Sequence, residues 1–402
     1  MTIPLARPWL GEAEADAARA TVLSGWVMQG PKVAEFEQQF AEYVGAGHAC
    51  AVSSGTAALV LALKAVGVGH GDVVLTVSHS FIATANAIRA CGAEPVFIDI
   101  EPAGYNMDVA ALARLLADQC RRDGDGLWYK GVAGLLHLAE SPLCTAKGPI
   151  GRVAAILAVH QMGIPCDITA IDGLAREYRI PWVEDAACAI GSEWQGERIG
   201  RPHGDAACFS FHPRKIITTG DGGMIVTNRP DIDEACRLWR QHGMVPAASG
   251  GLFETYACTA YNYRLTDIQA AIGLVQLGRL AEIVERRRER VAHYRTRLAG
   301  NPAFRIFPEP AGCRSNWQSL PLDFGGTGVD QGKLIHALAA DGITAKPGIM
   351  NAHGEPPYGG LWELPESERR RTETILLPLF HDLELTDIER VAGVLKRFAV
   401  HG

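Results

Sequence analysis

Val153-Ala154-Ala155-Ile156-Leu157-Ala158-Val159 is an apolar run with no polar break. A strand with one wet face alternates apolar and polar side chains. An unbroken run predicts a strand buried on both faces, as in a parallel sheet covered by helices. The chain on either side fits that reading. His48 to Ser53, Val73 to Val77 and Pro95 to Ile98 read as strands, followed in turn by helical patterns at Gly55 to Val66, Phe81 to Cys91 and Asp108 to Gln119. Beyond the run, helix Ala170 to Tyr178 leads to strand Pro181 to Glu184, and strands fit Ala206 to Phe211 and Met224 to Thr227. This alternation predicts an α/β fold with a mainly parallel sheet flanked by helices, and ligands at the carboxyl ends of its strands.

Two stretches break the rhythm. Arg121 to Gly151 carries Arg-Arg-Asp-Gly-Asp-Gly and later Lys-Gly-Pro-Ile-Gly, and reads as a surface excursion with local structure around Val132 to Leu138. After about Gly243 long helices take over, at Thr266 to Arg279 and Leu280 to Leu298, then shorter ones at Asp330 to Asp341 and Asp387 to Phe398. The expectation is a large domain over 1–250 and a smaller α+β domain over 251–402.

Composition narrows the function. Of 402 residues, 48% are hydrophobic and 21% charged, and the net charge is -7, so no basic surplus favours nucleic acid or an anionic membrane. The Arg-rich run at 286–290 is interleaved with glutamates and reads as a solvated helix face. No apolar run is long enough to span a bilayer, and the N-terminus does not read as a signal peptide. The ten cysteines form no Cys-x-x-Cys pair and no His-Glu-x-x-His appears, so no metal is expected. The expectation is a reduced, cytoplasmic protein with free thiols.

The chemistry is densest between Trp182 and Asn228. Glu184-Asp185-Ala186-Ala187-Cys188 ends a buried strand; Ser210-Phe211-His212-Pro213-Arg214-Lys215 follows, and Thr219-Gly220-Asp221-Gly222-Gly223 closes the loop. A carboxylate at a strand end, ahead of a lysine held before a glycine-rich loop, is the pairing that pyridoxal 5'-phosphate (PLP) chemistry requires. The amine condenses with an aldehyde, and the carboxylate keeps a pyridine nitrogen protonated. Ser53-Ser54-Gly55-Thr56 supplies a third element, a turn from strand to helix whose free N–H groups and dipole suit a phosphate. Alone it is an ordinary helix cap; with Asp185 and Lys215 it reads as a phosphate cradle.

With these motifs the chain resembles the DegT-type sugar aminotransferases, a branch of the fold-type I PLP enzymes. The resemblance runs from Gly25-Trp26 and Gly30-Pro31 through Ser54-Gly55-Thr56-Ala57-Ala58-Leu59 and Phe81-Ile82-Ala83-Thr84-Ala85-Asn86. It continues through the Asp185 and Lys215 motifs and Tyr261-Asn262-Tyr263-Arg264 to Leu377-Pro378-Leu379. It implies Lys215 as the Schiff-base lysine and Asp185 as partner of the pyridine nitrogen. Ser54, Gly55, Thr56 and Ser210 would hold the phosphate, Phe81 and Cys188 would lie against the ring, and Asn262 would reach the phosphate of a neighbouring subunit. Trp26 and His353 are the candidate substrate contacts.

The resemblance further implies a homodimer with composite sites, pyridoxamine 5'-phosphate (PMP) as the alternate cofactor form, glutamate as donor, and a nucleotide-linked 4-keto-6-deoxy sugar as acceptor. A 3-keto sugar or a cyclitol ketone is the alternative acceptor, and a PLP-binding regulator without turnover the alternative class. Three positions depart from the commonest pattern: Cys188 stands for His or Gln, Met162 for Tyr, and Asp221 for Glu. None removes an essential group.

Overall fold

A computed structural model describes residues 2–245 and 254–401. The expected division at 250/251 falls on residues outside the described ones. Chain order in the first part is α1 (Glu12–Ser24), α2 (Pro31–Val44), β1 (His48–Val52), α3 (Gly55–Ala65), β2 (Val73–Val77), α4 (Ala83–Ala90), β3 (Glu94–Ile98) and α5 (Val109–Asp118). A hairpin of β4 (Cys120–Asp123) and β5 (Gly126–Tyr129) follows, then β6 (Val153–Val159), α6 (Ile168–Tyr178), β7 (Trp182–Asp185), β8 (Ala206–Ser210), β9 (Gly223–Thr227) and α7 (Pro230–Trp239).

Seven strands form the central sheet in the order β1-β9-β8-β7-β6-β2-β3. All pairings are parallel except those of β9, which runs antiparallel to both β1 and β8. No helix separates β8 from β9, and an antiparallel return needs none. Alternate residues bury on opposite faces: Leu75, Phe209 and Met224 join one core, Val74, Cys208 and Ile225 the other. Helix α3 is buried along its whole run from Ala57 to Leu63, so its apolar Ala/Leu/Val composition is that of a core helix.

Helices α1 and α2 have no counterpart in the sequence reading. The start of α2 is capped from far away: buried Asp267 accepts hydrogen bonds from the N–H groups of Gly30 (2.8 Å), Lys32 (3.1 Å) and Val33 (2.9 Å). A carboxylate on those free donors also satisfies the helix dipole.

The second part contains α8 (Asp267–Gly278), α9 (Leu280–Leu298), β10 (Leu320–Asp323), α10 (Gln331–Ala340), β11 (Lys346–Pro347), α11 (Pro365–Thr372), β12 (Thr374–Leu377) and α12 (Leu385–His401). Its small antiparallel sheet has the order β10-β12-β11. Helix α9 bridges two cores, with Leu280, Ile283 and Val284 in the first and Val291, Tyr294 and Leu298 in the second. Among the described residues no helix is long and apolar enough to cross a membrane, and the ten cysteines are all free.

The surface excursion expected at 121–151 is corrected. Leu127, Leu135, Leu138 and Leu143 are buried in the main core, with Leu135 at 0% exposure. The segment also meets the second part: Arg89 Nη1 donates to Ala139 O (2.9 Å) and Nη2 to Pro357 O (2.9 Å). Polar ends hid a buried middle. Replacing Leu135 with Ala should cost about 2–5 kcal/mol, read from the denaturant midpoint at unchanged slope. A loss below about 0.5 kcal/mol would mean the segment is not part of the cooperative core.

Candidate active site

The sequence-predicted residues come from the carboxyl ends of β1, β2, β7 and β8, the edge where such sheets bind ligands. Asp185 ends β7 and is 5% exposed. Its Oδ2 accepts from Thr84 Oγ1 (2.8 Å) and its Oδ1 from the Ala187 N–H (3.2 Å). Thr84 in turn meets Ser80 Oγ at 2.9 Å. Among the described residues no salt bridge reaches Asp185, and burial raises its pKa above the ordinary carboxylate value against the hydrogen bonds of Thr84 and Ala187 and the charge of Lys215. The adjacent Glu184 sits differently. Burial raises its pKa, but bonds from His160 and His203 more than reverse this and hold it at about 2; His160 Nε2 lies 3.0 Å from its Oε2.

Lys215 lies half-buried in the β8–β9 connection, and its Nζ donates to Cys188 Sγ at 3.1 Å. Cys188 follows Asp185 by one turn of chain, so one loop supplies both the carboxylate and the lysine's contact. At the β1–α3 junction Ser54 caps the helix, accepting from the Ala57 N–H at 3.1 Å while its own hydroxyl hydrogen stays available. Gly55 packs against Ser210 so closely that a Cβ on it would lie 2.7 Å from Ser210 Cβ and 3.2 Å from Oγ. Only glycine allows that approach, which sets a helix N-terminus and a hydroxyl side by side. Thr56 is exposed at the same terminus.

The remaining candidates sit further out. Phe81, just past β2, is 62% exposed, and Trp26 is 57% exposed beside Gly30. Asn262 is exposed, and its Oδ1 accepts from the Arg264 N–H at 3.3 Å. His353 is half-buried: Nδ1 is 2.6 Å from Ser78 Oγ and Nε2 3.4 Å from Glu368 Oε1. Ser78 Oγ also accepts from the His353 N–H at 2.9 Å, so both the backbone and the ring of His353 are tied to Ser78. Burial lowers the pKa of His353. Trp317 is 2% exposed in the second core, under the Arg295 guanidinium.

This donor set fits PLP. A buried carboxylate without a salt-bridge partner suits a protonated pyridine nitrogen, and the Ser54–Thr56 turn with Ser210 suits a phosphate dianion. Sequence reasoning missed Thr84, although it stands in the quoted Phe81 to Asn86 motif; only the fold brings it to Asp185.

Comparison with known proteins agrees with this geometry. The chain belongs to the DegT/DnrJ/EryC1/StrS aminotransferase family, whose model matches residues 8–396, and is a PLP-dependent sugar aminotransferase. It is similar to the GDP-perosamine synthase of Caulobacter vibrioides, at 34% identity over 99% of this chain and 98% of that one. Among solved structures it resembles the aminotransferase TlmJ of Streptoalloteichus hindustanus, at 33% identity and TM-score 0.84 over 99% of both chains. The fold also matches Spr1654 of Streptococcus pneumoniae, a putative sugar aminotransferase solved in PLP and PMP forms. Its PLP form has 24% identity and TM-score 0.85, over 100% of this chain and 99% of that one.

Asp185 yields a stability prediction for the cofactor-free protein. Its folded pKa is raised, so the stability it contributes is full below the ordinary carboxylate value, about 3.9, and is lost as pH rises through the folded value. Asp185→Asn removes the buried charge, and Thr84 can turn to accept from the amide while donating to Ser80. The variant should melt no lower than wild type at pH 7.5, with its advantage shrinking as the pH is lowered toward the ordinary carboxylate value, about 3.9. A variant that melts lower, by the same margin at both pH values, contradicts this.

Proposed function

We propose that this chain binds PLP through Lys215, takes an amino group from glutamate, and delivers it to a nucleotide-linked keto sugar, a 4-keto-6-deoxy sugar in the leading reading. The observation that carries the chemistry is the juxtaposition of buried Asp185, which no salt bridge among the described residues reaches, with the Lys215 loop. The nucleotide-linked acceptor is supported by the likeness to a GDP-sugar enzyme. A 3-keto sugar or cyclitol ketone remains the alternative acceptor. We place the enzyme in the cytoplasm, with a cofactor-holding unit over 1–250 and a C-terminal unit over 251–402.

On this reading Lys215 holds the cofactor's aldehyde carbon. Released, its amine carries the proton between the amino-bearing carbon and the cofactor. Asp185 keeps the ring nitrogen protonated, and Thr84 and the Ala187 N–H fix the carboxylate's orientation. Gly55 and Thr56 offer backbone N–H groups to the phosphate, with the Ser54 and Ser210 hydroxyls beside them. Phe81 would lie against the ring and Cys188 near it. The bound cofactor supplies an electron sink for the carbon that loses its proton. Trp26 and His353 are kept as substrate contacts, with the His353 ring oriented by Ser78 and Glu368.

Half-transamination tests the function. The PLP-loaded protein, mixed with glutamate alone, should lose its yellow absorbance and release one equivalent of 2-oxoglutarate per site. Subsequent GDP- or dTDP-linked 4-keto-6-deoxyhexose should restore the colour and yield an amino sugar. Lys215→Ala should do neither, and Asp185→Asn should keep PLP but lose about 10²-fold or more in rate. Wild-type protein that binds PLP without bleaching would instead be the non-catalytic regulator.

The working unit is proposed to be a homodimer in which Asn262 reaches the partner's phosphate site. A side-chain amide bond to a charged group contributes about 1.5–3 kcal/mol, so its loss should weaken PLP binding about tenfold or more. Mixing a Lys215→Ala subunit with an Asn262→Ala subunit discriminates. At PLP levels limiting for the Asn262→Ala homodimer, action in trans leaves one site with both defects and one with neither, so each mixed dimer regains about half of native activity. A mixed dimer that forms but regains nothing excludes a composite site.

A further inference from the structure

The Lys215–Cys188 contact is gripped from both sides by one short stretch of the C-terminal part. Asn316 Nδ2 donates to Cys188 O (2.9 Å) and Ile190 O (2.7 Å). Two residues on, Gln318 Nε2 donates to Arg214 O at 2.5 Å, the carbonyl preceding Lys215. The stretch is itself tied rigid. Gln318 N–H donates to Asn316 Oδ1 (2.8 Å), Trp317 N–H to Ser315 Oγ (2.9 Å), and Asn316 N–H to Ser192 Oγ (2.9 Å). The Ser192 and Ser315 hydroxyls both donate to Gly163 O, at 2.6 and 2.9 Å. From behind, buried Arg287 donates to Trp317 O (2.9 and 2.7 Å) and Gln318 O (2.8 Å).

The backbone is bent to make this possible. Trp317 has φ +53° and Met162 φ +57°, the left-handed region that bulky residues avoid. Such conformations persist only where the surroundings over-determine them, at a cost of about 1–3 kcal/mol each. Gly163 is at φ +90°, and a Cβ there would lie 1.9 Å from Asn316 Oδ1 and 3.0 Å from Cys188 O. Burying polar side chains and holding two residues in a disfavoured region is more than a connection between two cores requires.

We propose that Asn316 and Gln318 are positioning residues for Lys215, a two-pronged brace that sets the separation of the lysine amine from the Asp185–Cys188 loop. Asn316 fixes the loop side and Gln318 the lysine side. The inference rests on the proposed role of Lys215 for its catalytic meaning, but the brace is testable in cofactor-free protein. o-Phthalaldehyde converts an adjacent amine and thiol into a fluorescent isoindole: both add across the two aldehydes and two waters leave. The Lys215–Cys188 signal is the fluorescence absent from both Lys215→Ala and Cys188→Ser, and PLP should block it.

Gln318→Met keeps the side-chain size and removes the donor. It should form the isoindole about fivefold or more slowly, and lower the rate constant of the glutamate half-reaction about tenfold with half-saturation within about twofold, as misplacing a reacting group does. Leu135→Ala, remote from the site, should lower stability yet leave the isoindole rate unchanged. Wild-type isoindole formation in Gln318→Met overturns the brace. So does equal slowing in Leu135→Ala, which would make the effect one of stability alone. Failure of the functional reading shows separately, as glutamate bleaching that survives Lys215→Ala.

Discussion

A carboxylate taken out of water with no salt-bridge partner among the described residues is the constraint on which the rest of this structure depends. Asp185 has that position because β7 lies in the interior of the sheet, between β6 and β8. Water cannot solvate it there, and only a hydroxyl and one N–H do so in its place. In a protein selected for stability alone an amide or an apolar residue would serve better. On the proposed reading a cationic ring nitrogen repays that burial, which would make the cofactor part of the electrostatic balance of the fold.

The rest of the site follows from how strands end. In a parallel sheet the carboxyl ends of β1, β2, β7 and β8 open on one edge, so a helix N-terminus, an aromatic ring, a carboxylate and a hydroxyl are delivered together. The exception, β9, matters as much. By returning antiparallel without a helix it keeps Lys215 in a loop at that same edge, and Gly223 at its start lies against Ser54 O, where a Cβ would sit 2.4 Å away. The loop's glycines therefore answer to packing on the phosphate turn as well as to flexibility.

What could be read from residues alone was what depends on local pattern. Val153–Val159 is a strand to the residue because both its faces are buried, and α9 is Leu280–Leu298 as read, since its apolar spacing is long and regular. Asp185 and Lys215 stood out because their chemistry is rare in such flanks. What escaped is held by distant partners. Helix α2 takes its cap from Asp267, more than two hundred residues away; the 121–151 segment hides buried leucines between polar ends; Asn316 and Gln318 look like ordinary loop amides until the fold sets them on Cys188 and Arg214. No periodicity reports such pairings, because each is a contact between elements rather than a property of one.

The two parts of the chain meet the site in different ways. The groups assigned to the cofactor come from the first part, apart from Asn262. The second touches this edge through the 315–318 stretch and through 351–358, where Asn351 Oδ1 meets His79 Nδ1 (2.8 Å), His353 meets Ser78, and Tyr358 OH donates to Asn86 Oδ1 (2.7 Å). Arg89 adds a fourth tie, with its guanidinium over the Tyr358 ring and bonds to both Ala139 and Pro357. So the 121–151 segment braces the same loop that carries His353. Chemistry shared by many acceptors calls for an unchanging cofactor cradle, and discrimination among acceptors calls for a surface that can vary without disturbing it. A loop anchored by Ser78, Asn86 and Arg89, with Ala352 and Tyr358 in a small cluster with Ala85 and Phe97, satisfies both demands. If His353 contacts the acceptor as proposed, the loop can be remodelled for a different sugar while Asp185 and Lys215 stay where the sheet puts them.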